Sequence, residues 1–388
     1  RMRHAKSGQW WENEPQRALA NNSVSYTEKP DAVSFMREWM ALVESGSGER
    51  GIFNREASKK QAAKNNRRNP DYEFGTNPCS EIILRPYQFC NLTEVVVRAT
   101  DTLEDLARKV RCATILGTIQ STSTRFPYLR KVWQRNTEEE RLLGVSLTGI
   151  MDNKLMTTAN KGLESTLVYL RNEAISTNKE WADRLGIEPS TAITCVKPSG
   201  TVSQLVDSAS GIHARHSDYY IRTVRGDNKD PLTQFMKDQG IPNEPDVMKP
   251  DATTVFSFPI KSPDGAIVTK DLTAIQQLET WLVYQRFWCE HKPSITVNVQ
   301  KNEWLSVGAF VYEHFDEMSG VSFLPYNEHT YQQAPYQEVG QTDYNMLLSL
   351  MPEKIDWTKL SEYEQEDNTV GMQTMACSGD VCEIVDLT

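Results

Sequence analysis

The segment Asn77-Pro78-Cys79-Ser80-Glu81 places an amide, a thiol and a carboxylate within five residues. Proline favours extended backbone in the residue before it, and alternate residues of an extended chain share a face, so these three groups are expected to converge. A carboxylate raises the pKa of a neighbouring thiol, which favours a thiol that keeps its hydrogen over a thiolate nucleophile. The segment therefore suits hydrogen-atom chemistry through a thiyl radical on Cys79, with Glu81 as a base. A buried loop cysteine beside a solvated Glu81 is the alternative.

A second polar segment follows the β-rich run at 192–196, and we expect a helix to begin near its end. It consists of Lys197, Pro198, Ser199, Gly200, Thr201, Val202 and Ser203. Backbone N–H groups at a helix N-terminus, together with hydroxyl groups, can bind a phosphate. A plain turn is the alternative, because the spacing differs from that of an ATPase phosphate loop.

The last candidate pair is Cys377 and Cys382, which are separated by a glycine and polar residues in a stretch without a hydrophobic pattern. We expect residues 367–388 to form a mobile tail that carries these two thiols. Half of a zinc site is the alternative, although no second pair of Cys or His residues lies nearby in the sequence.

Composition excludes several classes of protein. The 388 residues carry 42 Lys+Arg against 52 Asp+Glu, a net charge of −10, and 39% are hydrophobic. These values predict a soluble globular protein without a large nucleic-acid face. No long apolar segment or signal-peptide core is present, so we expect a cytoplasmic protein without a membrane partner. Seven cysteines are too few and too unevenly spaced for a disulfide scaffold.

Helix signals precede and follow the Cys79 segment. Asp31 is expected to cap one helix, Thr102 with Asp105 a second, and Thr137 with Glu140 a third.

From about residue 163 to 330, helical patterns alternate with β-rich runs. Helices are expected at 163–181, 273–290 and 303–315, and strands at 192–196, 255–258, 294–299 and 321–324. Strands separated by such helices predict an α/β fold built from βα units, with a parallel sheet that is open or closed into a barrel.

The candidate segments belong to an ordered set of motifs. These are Ser47-Gly48-Glu49-Arg50-Gly51-Ile52-Phe53-Asn54, Asn77-Pro78-Cys79-Ser80-Glu81-Ile82 with Phe89-Cys90-Asn91-Leu92, Leu143-Gly144-Val145-Ser146-Leu147-Thr148-Gly149, Lys197-Pro198-Ser199-Gly200-Thr201-Val202-Ser203, and Cys377 with Cys382. The set resembles the catalytic chain of ribonucleotide reductases, in particular the adenosylcobalamin-dependent class (class II), and the second motif resembles that family's active-site finger loop.

The resemblance implies a role for each residue of the finger loop. Cys79 would carry a transient thiyl radical that takes hydrogen from C3′ of the ribose. Glu81 would deprotonate the 3′ hydroxyl, and Asn77 would hydrogen-bond the ribose hydroxyls. Cys90 would be one of two thiols that supply the reducing electrons and end as a disulfide, the alternative being a core cysteine on a strand.

The resemblance also implies the binding partners. The phosphates of a ribonucleoside di- or triphosphate would bind the loop formed by Pro198, Ser199, Gly200, Thr201, Val202 and Ser203. Cys377 and Cys382 would re-reduce the active-site disulfide and be recharged by a thioredoxin-like protein.

Adenosylcobalamin is the cofactor that the resemblance implies. The class driven by an iron subunit carries a late Tyr-Tyr pair, and the comparable region at 325–336 has none. An Arg-x-x-Gly-Tyr signature of the glycyl-radical class is also missing near the C-terminus. The sequence identifies no cobalamin-binding residue and no metal ligand.

The sequence departs from the family in one respect. The family's partner thiol for Cys90 lies far upstream of the finger loop, whereas 78 residues precede Cys79. The resemblance then implies the C-terminal half of a ten-stranded α/β barrel over 1–366, with a finger loop at about 70–92 and a redox tail at 367–388. We expect the N-terminal half to be a separate chain, with an excised fragment or a shortened enzyme as alternatives. The alternative function is an incomplete or non-catalytic subunit that binds substrate phosphate and cofactor but needs a partner for turnover.

Overall fold

The computed structural model describes residues 22–46, 51–326 and 332–364, together with 5, 14, 16 and 17. Cys377, Cys382 and the expected tail lie outside these residues. The strands are β1 (Ser23–Tyr26), β2 (Gly51–Asn54), β3 (Gly75–Thr76), β4 (Ile83–Leu84), β5 (Asn91–Val96), β6 (Leu143–Thr148), β7 (Tyr219–Asp227), β8 (Asn243–Pro245), β9 (Thr253–Lys261), β10 (Thr296–Val299), β11 (Gly320–Pro325) and β12 (Tyr336–Glu338). The α-helices are α1 (Ala32–Ser45), α2 (Arg55–Ala63), α3 (Leu103–Gln120), α4 (Lys131–Glu140), α5 (Leu163–Leu185), α6 (Val202–Leu205), α7 (Pro231–Asp238), α8 (Ala274–Phe287), α9 (Trp304–Glu313), α10 (Gln341–Leu350) and α11 (Leu360–Tyr363).

Two of the three predicted helix starts are confirmed. The side chain of Asp31 accepts hydrogen bonds from the first N–H groups of α1. Thr102 and Asp105 form a reciprocal capping box at the start of α3. Each cap satisfies backbone donors that a helix leaves without partners at its first turn.

The third predicted start is wrong. Thr137 and Glu140 lie in the last turn of α4, which begins at Lys131, ends at Glu140 and is followed by Arg141 with a φ of 42°. The Glu140 carboxylate is buried and binds Arg68 instead of a helix N-terminus. The Thr-x-x-Glu pattern at 137–140 therefore does not mark a helix start, because its glutamate is one partner of a buried ion pair.

Parallel βα units are present, as predicted. Strands β5 and β6 pair in parallel along their whole length. The predicted strand at 192–196 continues this sheet through parallel bridges from Val145 to Thr194 and from Val196 to Pro293. Beyond Pro293, β10 pairs in parallel with β11, β11 pairs antiparallel with β2, and β2 pairs in parallel with β1.

The predicted strand at 255–258 does not join this arrangement. It is part of β9, which lies in a separate antiparallel sheet of order β12-β7-β9-β8. The segment between β7 and β9 turns the chain back on itself, so no crossover connection is made. Along β7 only Tyr220 and Thr223 are buried, and since they are three residues apart they lie on opposite faces of the strand, so neither face is covered along its whole length.

Helix α8 fixes the strand ends on which the candidate residues lie. Its Trp281 indole N–H donates to the Pro293 carbonyl at 2.9 Å. The indole N–H of Trp288, which follows the helix, donates to the Cys195 carbonyl at 2.8 Å. All these groups are buried, so the segments at 192–196 and 293–299 share one rigid core. No helix within the described ranges is long and apolar enough to cross a bilayer.

Candidate active site

Cys79 lies in a β-turn between β3 and β4. The Ser80 N–H donates to the Asn77 carbonyl at 2.9 Å, and Ser80 has a φ of 68°. The extended conformation predicted for this segment is therefore wrong, because Pro78 occupies the second position of a turn, which its fixed φ favours. The Asn77 side-chain oxygen accepts from the Ile82 N–H at 3.0 Å and closes the loop from the other side.

The turn still brings the thiol and the carboxylate together, and it adds a cation. The Lys197 ammonium lies 3.2 Å from Glu81 Oε1 and close enough to the Cys79 thiol for its charge to affect the pKa of that thiol. Burial lowers the pKa of Lys197, whereas the interactions with Glu81 and Cys79 raise it. These interactions outweigh burial, so the pKa of Lys197 lies above its usual value. The three side chains therefore form one charged cluster.

Glu81 is the most deeply buried member of this cluster. Its side chain is 0% exposed, and Oε2 has no hydrogen-bond partner among the residues that the structure describes. An unpartnered carboxylate oxygen in a buried position costs free energy, and a ligand hydroxyl would relieve that cost. The geometry thus leaves one acceptor for a substrate.

The Cys79 thiol is adapted to remain protonated. Burial raises its pKa most, the Lys197 ammonium lowers it, and Glu81 raises it again, with a net shift upwards. The sequence anticipated the contribution of Glu81 but neither the larger effect of burial nor the opposing effect of Lys197.

A second lysine holds the backbone of the turn. Lys292 is 1% exposed, and its ammonium donates to the Ser80 carbonyl and, at 3.1 Å, to the Ser80 hydroxyl. The Ser294 hydroxyl donates to the Cys79 carbonyl at 2.6 Å. Burial lowers the pKa of Lys292 to about 8. These contacts explain how a non-glycine residue is kept at the positive φ of Ser80.

His291 supports the other end of the loop as a neutral ring. Its Nδ1 accepts from the Ile83 N–H at 3.3 Å, and its Nε2 lies 2.9 Å from the Leu143 carbonyl, to which it donates. Burial lowers the pKa of His291 to about 3, which is consistent with this tautomer.

Buried charges hold the flanks of the loop. The Glu140 carboxylate accepts two hydrogen bonds from Arg68, at 2.9 and 3.0 Å, and also binds Gln88. The Arg68 guanidinium donates to the Ile83 carbonyl at 2.8 Å. Removing one partner from such a network would leave an uncompensated buried charge.

Cys90 lies at the start of β5, beside the glycine of the Leu143-Gly144 motif. A Cβ at Gly144 would lie 3.3 Å from Cys90 Sγ, 2.8 Å from the Ile82 side chain and 2.4 Å from that of Leu92. Gly144 therefore provides the space in which the thiol lies. Burial, and then the charge of Glu81, raise the pKa of Cys90.

The segment predicted to bind phosphate forms a tight loop followed by the single helical turn α6. Ser199 has a φ of 38° and is 2% exposed, and its hydroxyl, which faces the Glu94 carboxyl, makes no hydrogen bond of normal geometry within the described ranges. The Ser203 hydroxyl donates back to the Ser199 carbonyl. The Glu94 side chain faces the same loop, and burial raises the pKa of Glu94. The backbone of Pro198, Gly200, Thr201 and Val202 completes the loop.

Sequence reasoning missed Lys197 as a member of the Cys79 cluster, and it missed Lys292 and Ser294 altogether. One signal was present: the tripeptide Lys-Pro-Ser occurs at 197–199 and again at 292–294. Both copies meet the Cys79 turn, and the bridge from Val196 to Pro293 brings them side by side.

Comparisons with known proteins identify relatives over most of the chain. No family model matches the chain. It is 28% identical over 403 residues to an adenosylcobalamin-dependent ribonucleoside-triphosphate reductase of Lacticaseibacillus paracasei, covering 95% of this chain and 53% of that protein. It is 29% identical over 326 residues to a probable enzyme of the same name from Dictyostelium discoideum, covering 80% of this chain and 40% of that protein. The predicted resemblance is therefore confirmed.

The chain spans about half the length, or less, of these relatives. Among solved structures, a B12-dependent (class II) ribonucleotide reductase matches with a TM-score of 0.77 at 24% identity, covering 92% of this chain and 53% of that one. An Actinobacillus ureae class Id ribonucleotide reductase alpha subunit matches with a TM-score of 0.52 at 13% identity, covering 79% of this chain. The mixed α/β fold is thus similar to that of the class II reductase.

Proposed function

We propose that this chain carries the radical site of a reductase that converts ribonucleotides to 2′-deoxyribonucleotides. The observation that carries the proposal is the pairing of a protonated thiol, Cys79, with the buried carboxylate of Glu81, whose Oε2 has no hydrogen-bond partner among the described residues. The similarity to adenosylcobalamin-dependent reductases over most of the chain supports the same reaction. A thiyl mechanism needs a hydrogen donor and a base on one face of a ribose, and Cys79 and Glu81 supply both.

Adenosylcobalamin is the cofactor we propose, after the names of the relatives. When bound, it supplies a carbon-centred radical through homolysis of its cobalt–carbon bond. The Cys79 site fits such a group, because burial keeps the thiol protonated and hence able to give up a hydrogen atom. None of the described residues is assigned as a ligand of the cofactor.

The chain's own residues would act in sequence on the ribose. The Cys79 thiyl takes the hydrogen atom from C3′, and Glu81 Oε2 accepts the 3′ hydroxyl proton. The NH2 group of Asn77 donates to a ribose hydroxyl, because its oxygen is already bonded within the loop. The 2′ hydroxyl then leaves as water. Cys90 and a second thiol supply the proton that completes this water, the hydrogen that C2′ gains and two electrons, and they become a disulfide. Glu81 then returns the proton to the 3′ oxygen, and Cys79 returns its hydrogen atom to C3′.

The second thiol of this pair is proposed to come from an N-terminal half of the reductase. Cys112 is exposed on α3, and Cys289 is buried among the residues that follow α8, so neither is a candidate by position. Cys195 is the competing candidate, because it lies close enough for a charge on Cys90 to raise its pKa. The disulfide that accumulates during turnover distinguishes the two.

We assign the substrate phosphates to the loop at 198–203, where the buried Ser199 hydroxyl supports an anion site. The relatives are named as triphosphate reductases, so a ribonucleoside triphosphate is the first substrate to test.

We also propose the architecture that the resemblance implies. It consists of half of a ten-stranded barrel over 1–366, with a finger loop at about 70–92, and a redox tail at 367–388. Cys377 and Cys382 of this tail would react with a thioredoxin-like protein.

An incomplete subunit is the second candidate function. The chain matches about half of each relative, which is compatible with substrate phosphate and cofactor binding in this chain and turnover only with a partner.

The test is deoxynucleotide formation from ribonucleoside triphosphates, with adenosylcobalamin and dithiothreitol, by the chain alone and with the N-terminal half of a relative added. We expect product in the mixture and a Cys90 disulfide to the added half. Product from the chain alone, with a Cys90–Cys195 disulfide, would establish a shortened enzyme. Absence of product under both conditions would contradict the proposed activity.

A further inference from the structure

Lys197 is fixed more tightly than a surface lysine would be. Its backbone N–H donates to the Ser146 hydroxyl at 2.8 Å, which ties it to β6. On the opposite side, a Cβ at Gly211 would lie 2.3 Å from the Lys197 carbonyl oxygen, so only glycine fits there. Gly211 has a φ of 56°, which glycine adopts without strain. The start of the lysine side chain is therefore held in one place.

The fixed lysine determines which oxygen of Glu81 is left for a ligand. Its ammonium holds Oε1 at 3.2 Å, while Oε2 is buried and has no hydrogen-bond partner within the described part of the chain. A carboxylate held by one oxygen cannot exchange its two oxygens by rotation without breaking the ion pair. The charge of the same ammonium also acts on the Cys79 thiol, so hydrogen donor and base share one neighbouring cation.

The charges around Lys197 come from several elements. Glu81 and Cys79 face it from the turn, and Glu94 faces it from β5. Lys292 acts on Glu81 from the neighbouring segment. Because Glu81 and Glu94 are both acidic, removal of the Lys197 charge would leave the Cys79 thiol in a more negative environment.

We propose that Lys197 is a positioning residue of the radical site, which fixes Glu81 through Oε1 so that Oε2 faces the ribose hydroxyl. This inference rests on the function proposed above and assigns to that site a residue outside the finger loop. Lys197 acts through Glu81 and Cys79 and forms no bond to the substrate.

The test compares Lys197→Met and Lys197→Arg with Lys270→Met. Lys270 is a matched control, because its ammonium also lies 3.2 Å from a carboxylate, that of Asp218, but both side chains are more than half exposed. The first readout is the pH profile of Cys79 alkylation by iodoacetamide, measured by peptide mass spectrometry, with the exposed Cys112 as internal reference. The second is kcat and KM for triphosphate reduction.

We expect Lys197→Met to shift the Cys79 alkylation profile upwards by about one pH unit, because the cation that favours the thiolate is lost. We expect kcat to fall about 10-fold to 100-fold with little change in KM, since misplacement of a base affects the chemical step. Lys197→Arg should keep the alkylation profile and recover part of kcat, and Lys270→Met should change neither readout.

An unchanged alkylation profile and unchanged kcat in Lys197→Met would overturn the inference. Should that variant not fold, Lys197→Gln replaces it with the same expectations. The alkylation profile needs neither cofactor nor turnover, so an inactive wild-type protein would contradict the proposed function while the profile still decides the role of Lys197.

Discussion

The two Lys-Pro-Ser segments have the same sequence and lie side by side, but they serve the Cys79 turn in different ways. Lys197 is 31% exposed, and its ammonium pairs with the Glu81 carboxylate and acts on the Cys79 thiol through its charge. Lys292 is 1% exposed, and its ammonium reaches the backbone and hydroxyl of Ser80. The difference is one of depth: the shallower lysine supports the reacting groups, whereas the deeper lysine holds the turn that presents them.

Glu81→Gln should have the largest effect among the tests of this comparison. The amide cannot accept a proton from the 3′ hydroxyl and loses the ion pair with Lys197, so we expect reduction to fall by about 100-fold or more. The measurement is kcat for triphosphate reduction. The control is Glu73→Gln, because Glu73 also forms ion pairs but its side chain is 67% exposed. Turnover within threefold of wild type would remove Glu81 from the role of base.

Lys292→Met should separate activity from stability. The Ser80 turn loses its anchor, so we expect kcat to fall about tenfold through misplacement of Cys79. We expect no decrease in the free energy of unfolding at neutral pH, because the substitution removes the cost of burying an ammonium together with its hydrogen bonds to Ser80. Thermal unfolding and kcat measured on the same sample check this. A large drop in Tm together with kcat would indicate a general structural role instead.

The pH dependence of stability sharpens the same comparison. The pKa of Lys292 is about 8 in the folded protein and near 10.5 in the unfolded chain, so the unfolded state binds more protons between these values. The free energy of unfolding of the wild type should therefore rise relative to Lys292→Met as the pH increases from 8 to 10.5. Denaturant unfolding across this range measures the difference. Parallel curves for the two proteins would show that Lys292 is not a buried cation.

Changing both Cys377 and Cys382 to Ser should have the smallest effect with a chemical reductant. We expect unchanged reduction with dithiothreitol, which reaches the active-site disulfide directly, and loss of reduction with a thioredoxin-like protein. Both rates are measured on one preparation together with the N-terminal half. Equal loss with both reductants would point to a structural or metal-binding role for the pair.

The two lysines also show which parts of the site could be predicted from the sequence. The spacing of Cys79 and Glu81 predicted their convergence correctly, although through an extended strand rather than the turn that Pro78 and Ser80 form. Local signals such as the Asp31 and Thr102 caps were reliable, because the groups involved lie within one helical turn.

Long-range contacts could not be predicted in the same way. The contact between Lys292 and Ser80 joins residues that are 212 positions apart in the chain. Similarly, the antiparallel pairing of β7 with β9 depends on how the intervening segment folds back. Glu140 resembled a helix cap, because nothing in its local sequence shows that Arg68 needs a buried partner.

Electron paramagnetic resonance tests the central role of Cys79 most directly. Wild type, Cys79→Ser and Cys112→Ser are each mixed with adenosylcobalamin, a ribonucleoside triphosphate and the N-terminal half, then frozen within milliseconds to seconds. Cys112 is an exposed thiol on α3 and provides the matched control. The account predicts a nucleotide-dependent radical signal in wild type and Cys112→Ser and none in Cys79→Ser, because a serine O–H bond is too strong for the hydrogen exchange. A signal of wild-type size in Cys79→Ser would contradict the account.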